Sequence, residues 1–93
     1  MINKNILNIR KKLDKLDDQF LNLIQKRTLL VKKILANKKF KKDIVDKKRI
    51  SIILKKIKKK SKQKKIDIKI TQRIWSSMIR AYIDYEFRNF KKK

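Results

Sequence analysis

Apolar residues recur at alternating steps of four and three along the first third of the chain: Ile2, Ile6, Ile9, Leu13, Leu16, Phe20 and Leu23, then Leu30 and Ile34. This heptad spacing draws one continuous stripe on an α-helix and predicts a single helix over roughly residues 4–38. At 1.5 Å per residue such a helix is about 50 Å long. A compact chain of this size is little more than about 30 Å across. The helix outruns its own globule, so most of its stripe is expected to find cover on another chain, in an intertwined helical homodimer. The dimer would also supply core, because 93 residues folded alone bury only about two thirds of the surface they expose when unfolded.

The rest of the sequence agrees with a helical fold. The chain contains no Gly, Pro or Cys, which removes disulfides, thiolate metal sites and the usual residues of tight hairpin turns. Ile50, Ile53, Leu54 and Ile57 fall at i, i+3, i+4 and i+7 and mark a short second helix starting near Asp46. Asp67 is placed as the N-cap of a third helix that runs through Ile70, Ile74, Trp75, Met78, Tyr82, Ile83 and Phe87 to about Phe90. Lys91 to Lys93 then reads as a frayed tail suited to a helix C-terminus. With no internal repeat and no linker, residues 1–93 read as one all-α domain of three helices.

Thirty-one Lys and Arg against 8 Asp and Glu give a formal charge of +23, yet 41% of the residues are hydrophobic, too many for a disordered basic tail. Lysine outnumbers arginine 25 to 6, and Ile and Asn are also abundant, a mixture that AT-rich coding produces by itself. The densest basic stretch, Lys55 to Lys65, reads as a solvated helix end and connector. It has no interleaved aromatic residue of the kind that stacks on single-stranded bases, so no nucleic-acid partner is expected from it. No apolar run reaches the length of a membrane span and Met1 to Asn5 leads into charged residues without a signal-peptide core, so a cytoplasmic location is expected.

Polar residues interrupt the apolar stripes at informative places. The step after Leu23 lands on Arg27, an arginine in the seam of a helix, and such a charge is costly unless paired. Lys38 follows eleven residues later, on the same side and about 16 Å along the axis. On the third helix the column Trp75, Met78, Tyr82 continues into Glu86. One reading is structural: Arg27 pairs with Asp46 or Glu86, and Lys38 is solvated. The other is that Arg10, Arg27, Lys38, Arg49 and Glu86 converge on one pocket, with several positive charges and one acid, suited to a small dianion.

The run from Ile9 to Asp17, then Leu21, Leu23-Ile24 and Arg27, then Lys38, then Asp46 with Arg49, and finally Asp67 and Glu86, resembles the all-helical chorismate mutases over nearly the whole chain. That family forms intertwined dimers of three-helix protomers. The resemblance implies that Arg27 and Lys38 of one protomer and Arg10 of the other grip the two substrate carboxylates, while Lys38 and a protonated Glu86 contact the ether oxygen. It implies further that Arg49 joins or braces the clamp and that Asp46 meets the ring hydroxyl. The rearrangement to prephenate, for phenylalanine and tyrosine synthesis, needs no nucleophile, metal or cofactor. One position departs from the pattern: the glutamate that usually follows the arginine matched by Arg49 is Ile50 here. Isochorismate-pyruvate lyases, which form salicylate on the same scaffold, carry an aliphatic residue there, and their aromatic-rich last helix resembles Tyr82 and the Tyr85-Glu86-Phe87 segment. Chorismate mutase is thus the first expectation, the lyase the second, and a non-enzymatic basic nucleic-acid-binding protein the third.

Overall fold

The computed structural model describes residues 3–91. Ile2, expected to open the apolar stripe, and Lys92 and Lys93 of the expected tail lie outside the described residues. Three α-helices follow in order: α1 (Lys4–Asn37), α2 (Lys47–Gln63) and α3 (Ile68–Asn89), with a short 3-10 turn at Lys41–Asp43 between the first two. Among the described residues there is no strand, as the all-α expectation requires. The chain divides into two compact units, residues 1–33 and residues 34–93.

The first unit is α1 without its last turn. Asn3 caps it, its side-chain oxygen accepting the Ile6 N–H at 2.9 Å. The heptad stripe is exposed along this unit: Ile9, Leu13, Leu16 and Leu23 each show more than half of their surface to solvent. Apolar area left open on this scale marks an interaction face.

The second unit carries the last turn of α1, the 3-10 turn, α2 and α3. Leu35 and Ile44 are its buried apolar residues. Asp46 caps α2 by accepting the Arg49 N–H at 3.0 Å, and Asp67 caps α3 by accepting the Lys69 N–H at 2.9 Å, so both expected starts hold.

The second helix is longer than the sequence indicated. Apolar spacing stops at Ile57, but α2 continues through Gln63 and takes up most of the lysine-rich stretch, which is therefore helix rather than helix end and connector. Lysine has a good helix propensity, and Ser61 gives the last turn a tertiary anchor. Its hydroxyl donates to the Ile57 carbonyl at 2.6 Å and lies 2.8 Å from the Thr71 hydroxyl of α3, both residues being buried. The helix then stops without a glycine. The Ile66 N–H reaches back to the Ser61 carbonyl and the Lys65 N–H to that of Lys62, the paired bonds of a Schellman ending. Lys65 takes the left-handed position at φ 57°, where glycine normally sits.

Candidate active site

Lys38 lies one residue beyond α1, and its ammonium points into the second unit. Nζ donates to Glu86 Oε1 at 3.0 Å and to the Ile44 carbonyl at 3.3 Å. The lysine side chain is 19% exposed and the Glu86 side chain 8%. Lys38 is therefore not solvated, which removes one half of the structural reading of the sequence. Two carriers of opposite charge have been drawn out of water together, an arrangement that is costly unless geometry and extra hydrogen bonds compensate. The Ile44 carbonyl provides one such bond.

The local sequence explains the placement. Ile44 is 3% exposed, and its burial pins the short segment after α1, with Asp43 closing the 3-10 turn through its side chain on the Phe40 N–H at 3.2 Å. The Ile44 carbonyl is thereby held against Lys38. Sequence reasoning did not single out Ile44, because a backbone acceptor leaves no residue signature; the apolar pair Ile44-Val45 after Lys41-Lys42-Asp43 was the available sign. Glu86 reaches the site because it continues the inward column of α3, one turn beyond half-buried Tyr82.

Ile50 is half-buried and lines a hollow of about 260 Å³ with Leu54, Ser76, Ile79, Arg80 and Ile83. Ile83 and Ile79 precede Glu86 on α3 by three and seven residues, so the apolar lining and the carboxylate share one side of that helix. Asp46 and Arg49 are exposed at the start of α2. One Asp46 oxygen is engaged as the helix cap. Asp46 lines a surface hollow with Lys42, Asp43, Val45 and Lys47. Arg10 and Arg27 belong to the first unit. They are separated by seventeen residues of α1, about 25 Å along its axis, and Arg27 is the half-buried member.

Residues 9–87 match the family model of chorismate mutase type II. The chain belongs to that family. The matched span contains Arg10, Arg27, Lys38, Asp46, Arg49, Ile50, Tyr82 and Glu86, that is, every residue singled out from the sequence as part of the site. No curated protein and no solved structure gives a significant match to the chain. Among the described residues no helix is long and apolar enough to cross a membrane, and no cluster of His, Cys, Asp or Glu is placed to hold a metal ion.

Proposed function

We propose that this type II chorismate mutase family member rearranges chorismate to prephenate in the synthesis of phenylalanine and tyrosine, acting as a homodimer with two shared sites. The observation that carries the reading is the Lys38–Glu86 pair, held at 3.0 Å in a mostly buried setting within the span that matches the family.

In this rearrangement the ether C–O bond breaks while a C–C bond forms within the same molecule. Nothing is transferred to the protein. Catalysis then consists of holding the enolpyruvyl arm over the ring and stabilising negative charge as it grows on the ether oxygen. Lys38 suits the second of these roles. An ammonium has three N–H donors; two are aimed at Glu86 and Ile44, and the third remains for a ligand. Glu86 fixes the direction of that ammonium towards the ether oxygen. Arg27 and Lys38 of one protomer with Arg10 of the other grip the carboxylates, Arg49 braces them, and Asp46 offers its second oxygen to the ring hydroxyl. Tyr82 and Ile50 wall the site. A millionfold acceleration needs about 8 kcal/mol, within reach of orientation plus a well-aimed donor.

A second reading, isochorismate-pyruvate lyase, is favoured by one feature. Ile50 stands where the mutase glutamate would be and sits among Leu54, Ile79 and Ile83, so its own side chain offers no acceptor to the chorismate hydroxyl. In the lyase reaction the same C–O bond breaks, but a ring hydrogen moves to the enolpyruvyl carbon and pyruvate leaves. Product analysis after separate incubation with chorismate and isochorismate decides between them. Prephenate from chorismate supports the mutase; pyruvate and salicylate from isochorismate alone establish the lyase. Consumption of neither removes both.

A further inference from the structure

The positive charge of the chain is not spread evenly over its helices. α1 sets nine Lys and Arg against three Asp, and α3 sets four Lys and Arg against two acids. α2 carries nine Lys and Arg in 17 residues and no acid at all. A coding bias that enriches lysine everywhere does not by itself produce that contrast. α2 holds no carboxylate with which its own cations could pair, and every one of its lysines is exposed.

Six of its eight lysines also share one face. At 100° per residue, Lys47, Lys48, Lys55, Lys58, Lys59 and Lys62 fall within about 120° of the helix circumference and extend about 22 Å along it. Arg49, Lys56 and Lys60 lie on the flank beyond the strip, while Ile50, Ile53, Leu54 and Ile57 occupy the remaining arc and are half-buried, and Ser61 and Thr71 tie α2 to α3 there. The strip is thus rigid, backed by a packed helix, and continuous because the basic stretch is helical.

We propose that this outer face of α2 is a docking strip for double-helical nucleic acid, binding the phosphate backbone without regard to sequence. Over 22 Å a duplex presents about 13 phosphate charges, more than enough to engage six ammonium groups at once. Lysine is a point-charge phosphate binder rather than a reader of bases, and the strip has no Arg, Asn or Gln on it to supply base contacts. Single strands are disfavoured because α2 contains no aromatic residue for stacking. A membrane surface is disfavoured because a helix bound there inserts its apolar face, and that face of α2 is taken by α3.

The test is fluorescence anisotropy of the full chain with a 20-bp duplex, at salt between about 0.05 and 0.3 M, where six released counterions give a slope of log K on log salt of about −5. The variant K55Q/K58Q/K59Q/K62Q should make that slope shallower by about 3 to 4. The variant K11Q/K12Q/K15Q/K26Q removes the same charge from exposed positions of α1 and should leave the slope nearly unchanged. K55R/K58R/K59R/K62R, which keeps the charge, should retain it; helical circular dichroism of each variant guards against misfolding. Equal losses from the α1 and α2 glutamine variants would show that only total charge matters and overturn the proposal. So would tighter binding of a single strand, or binding of phosphatidylserine vesicles without binding of the duplex.

Discussion

A single α1 cannot bring both of its arginines to one small dianion. Arg10 and Arg27 stand about 25 Å apart on a straight helix, whereas the two carboxylates of a chorismate-sized molecule lie well within 10 Å of each other on any estimate of covalent reach, roughly three residues of chain. If both arginines clamp one substrate, they come from different copies. Replacing either by alanine removes a charge-assisted contact worth about 2–3 kcal/mol, roughly a thirty- to 150-fold loss of kcat/KM. Arg10→Ala and Arg27→Ala homodimers should each therefore work near background. Mixed in equal amounts and allowed to exchange, they form heterodimers in about half of all pairings. Each heterodimer holds one intact site and one doubly defective site. Activity should rise to about a quarter of that of the unmodified protein, about eight- to fortyfold above either variant alone. Exchange is followed by energy transfer between labelled protomers, and activity by loss of chorismate absorbance. Demonstrated exchange with no recovered activity would refute the shared site, because two arginines acting within one protomer leave every heterodimer site short of one of them.

Other perturbations act on single residues. Lys65 holds a left-handed conformation at φ 57°, which costs a residue with a Cβ about 1 kcal/mol, so Lys65→Gly should raise the thermal midpoint by a few degrees; an unchanged or lowered midpoint would count against strain there. Thr71→Val removes one hydroxyl of the buried Ser61 pair and should cost about 1–3 kcal/mol in urea titration at unchanged slope. Because the chain carries +23, kcat/KM for a dianionic substrate should fall as salt rises from about 0.05 to 0.3 M, while kcat changes little. Ile50→Glu restores an acceptor for the chorismate hydroxyl and should raise mutase efficiency, since an unpaired hydroxyl costs about 1–3 kcal/mol; a large loss with the fold intact would show that the apolar wall itself serves the reaction.

The helix starts were legible because Asp46 and Asp67 are capping residues that act on the next few N–H groups, a local interaction that sequence order alone determines. The end of α2 was not. Its usual marker, a glycine, is missing, and a lysine fills the left-handed position instead. The continuation of α2 past its apolar residues depends on the hydroxyl contact between Ser61 and Thr71, which joins positions ten residues apart and has no periodicity to betray it. The site shows the same division. Glu86 could be named because it interrupts an apolar column and Lys38 because it keeps the register of Arg27, but their pairing rests on the turn around Ile44, whose contribution is a backbone carbonyl.

Burial separates two populations of cations in a chain where lysine is the commonest charged residue. A surface lysine costs little to keep, so composition can drift towards it. A cation withdrawn from water is a different matter, since it destabilises the fold unless a partner is supplied. Lys38 has such a partner in a glutamate that is itself 6% exposed, and the only glutamate of the sequence is the one placed there. Leaving the two charges in place is no aid to a core that Met or Leu could fill as well, because buried ion pairs often add nothing to stability. The pair is better explained by what an oriented, partly desolvated ammonium can do for a developing oxyanion. On that argument Lys38→Met combined with Glu86→Leu should fold at least as stably as the unmodified chain while losing its activity. A double variant that retained activity would remove Lys38 from the chemistry, and one that unfolded would make the pair a structural element first.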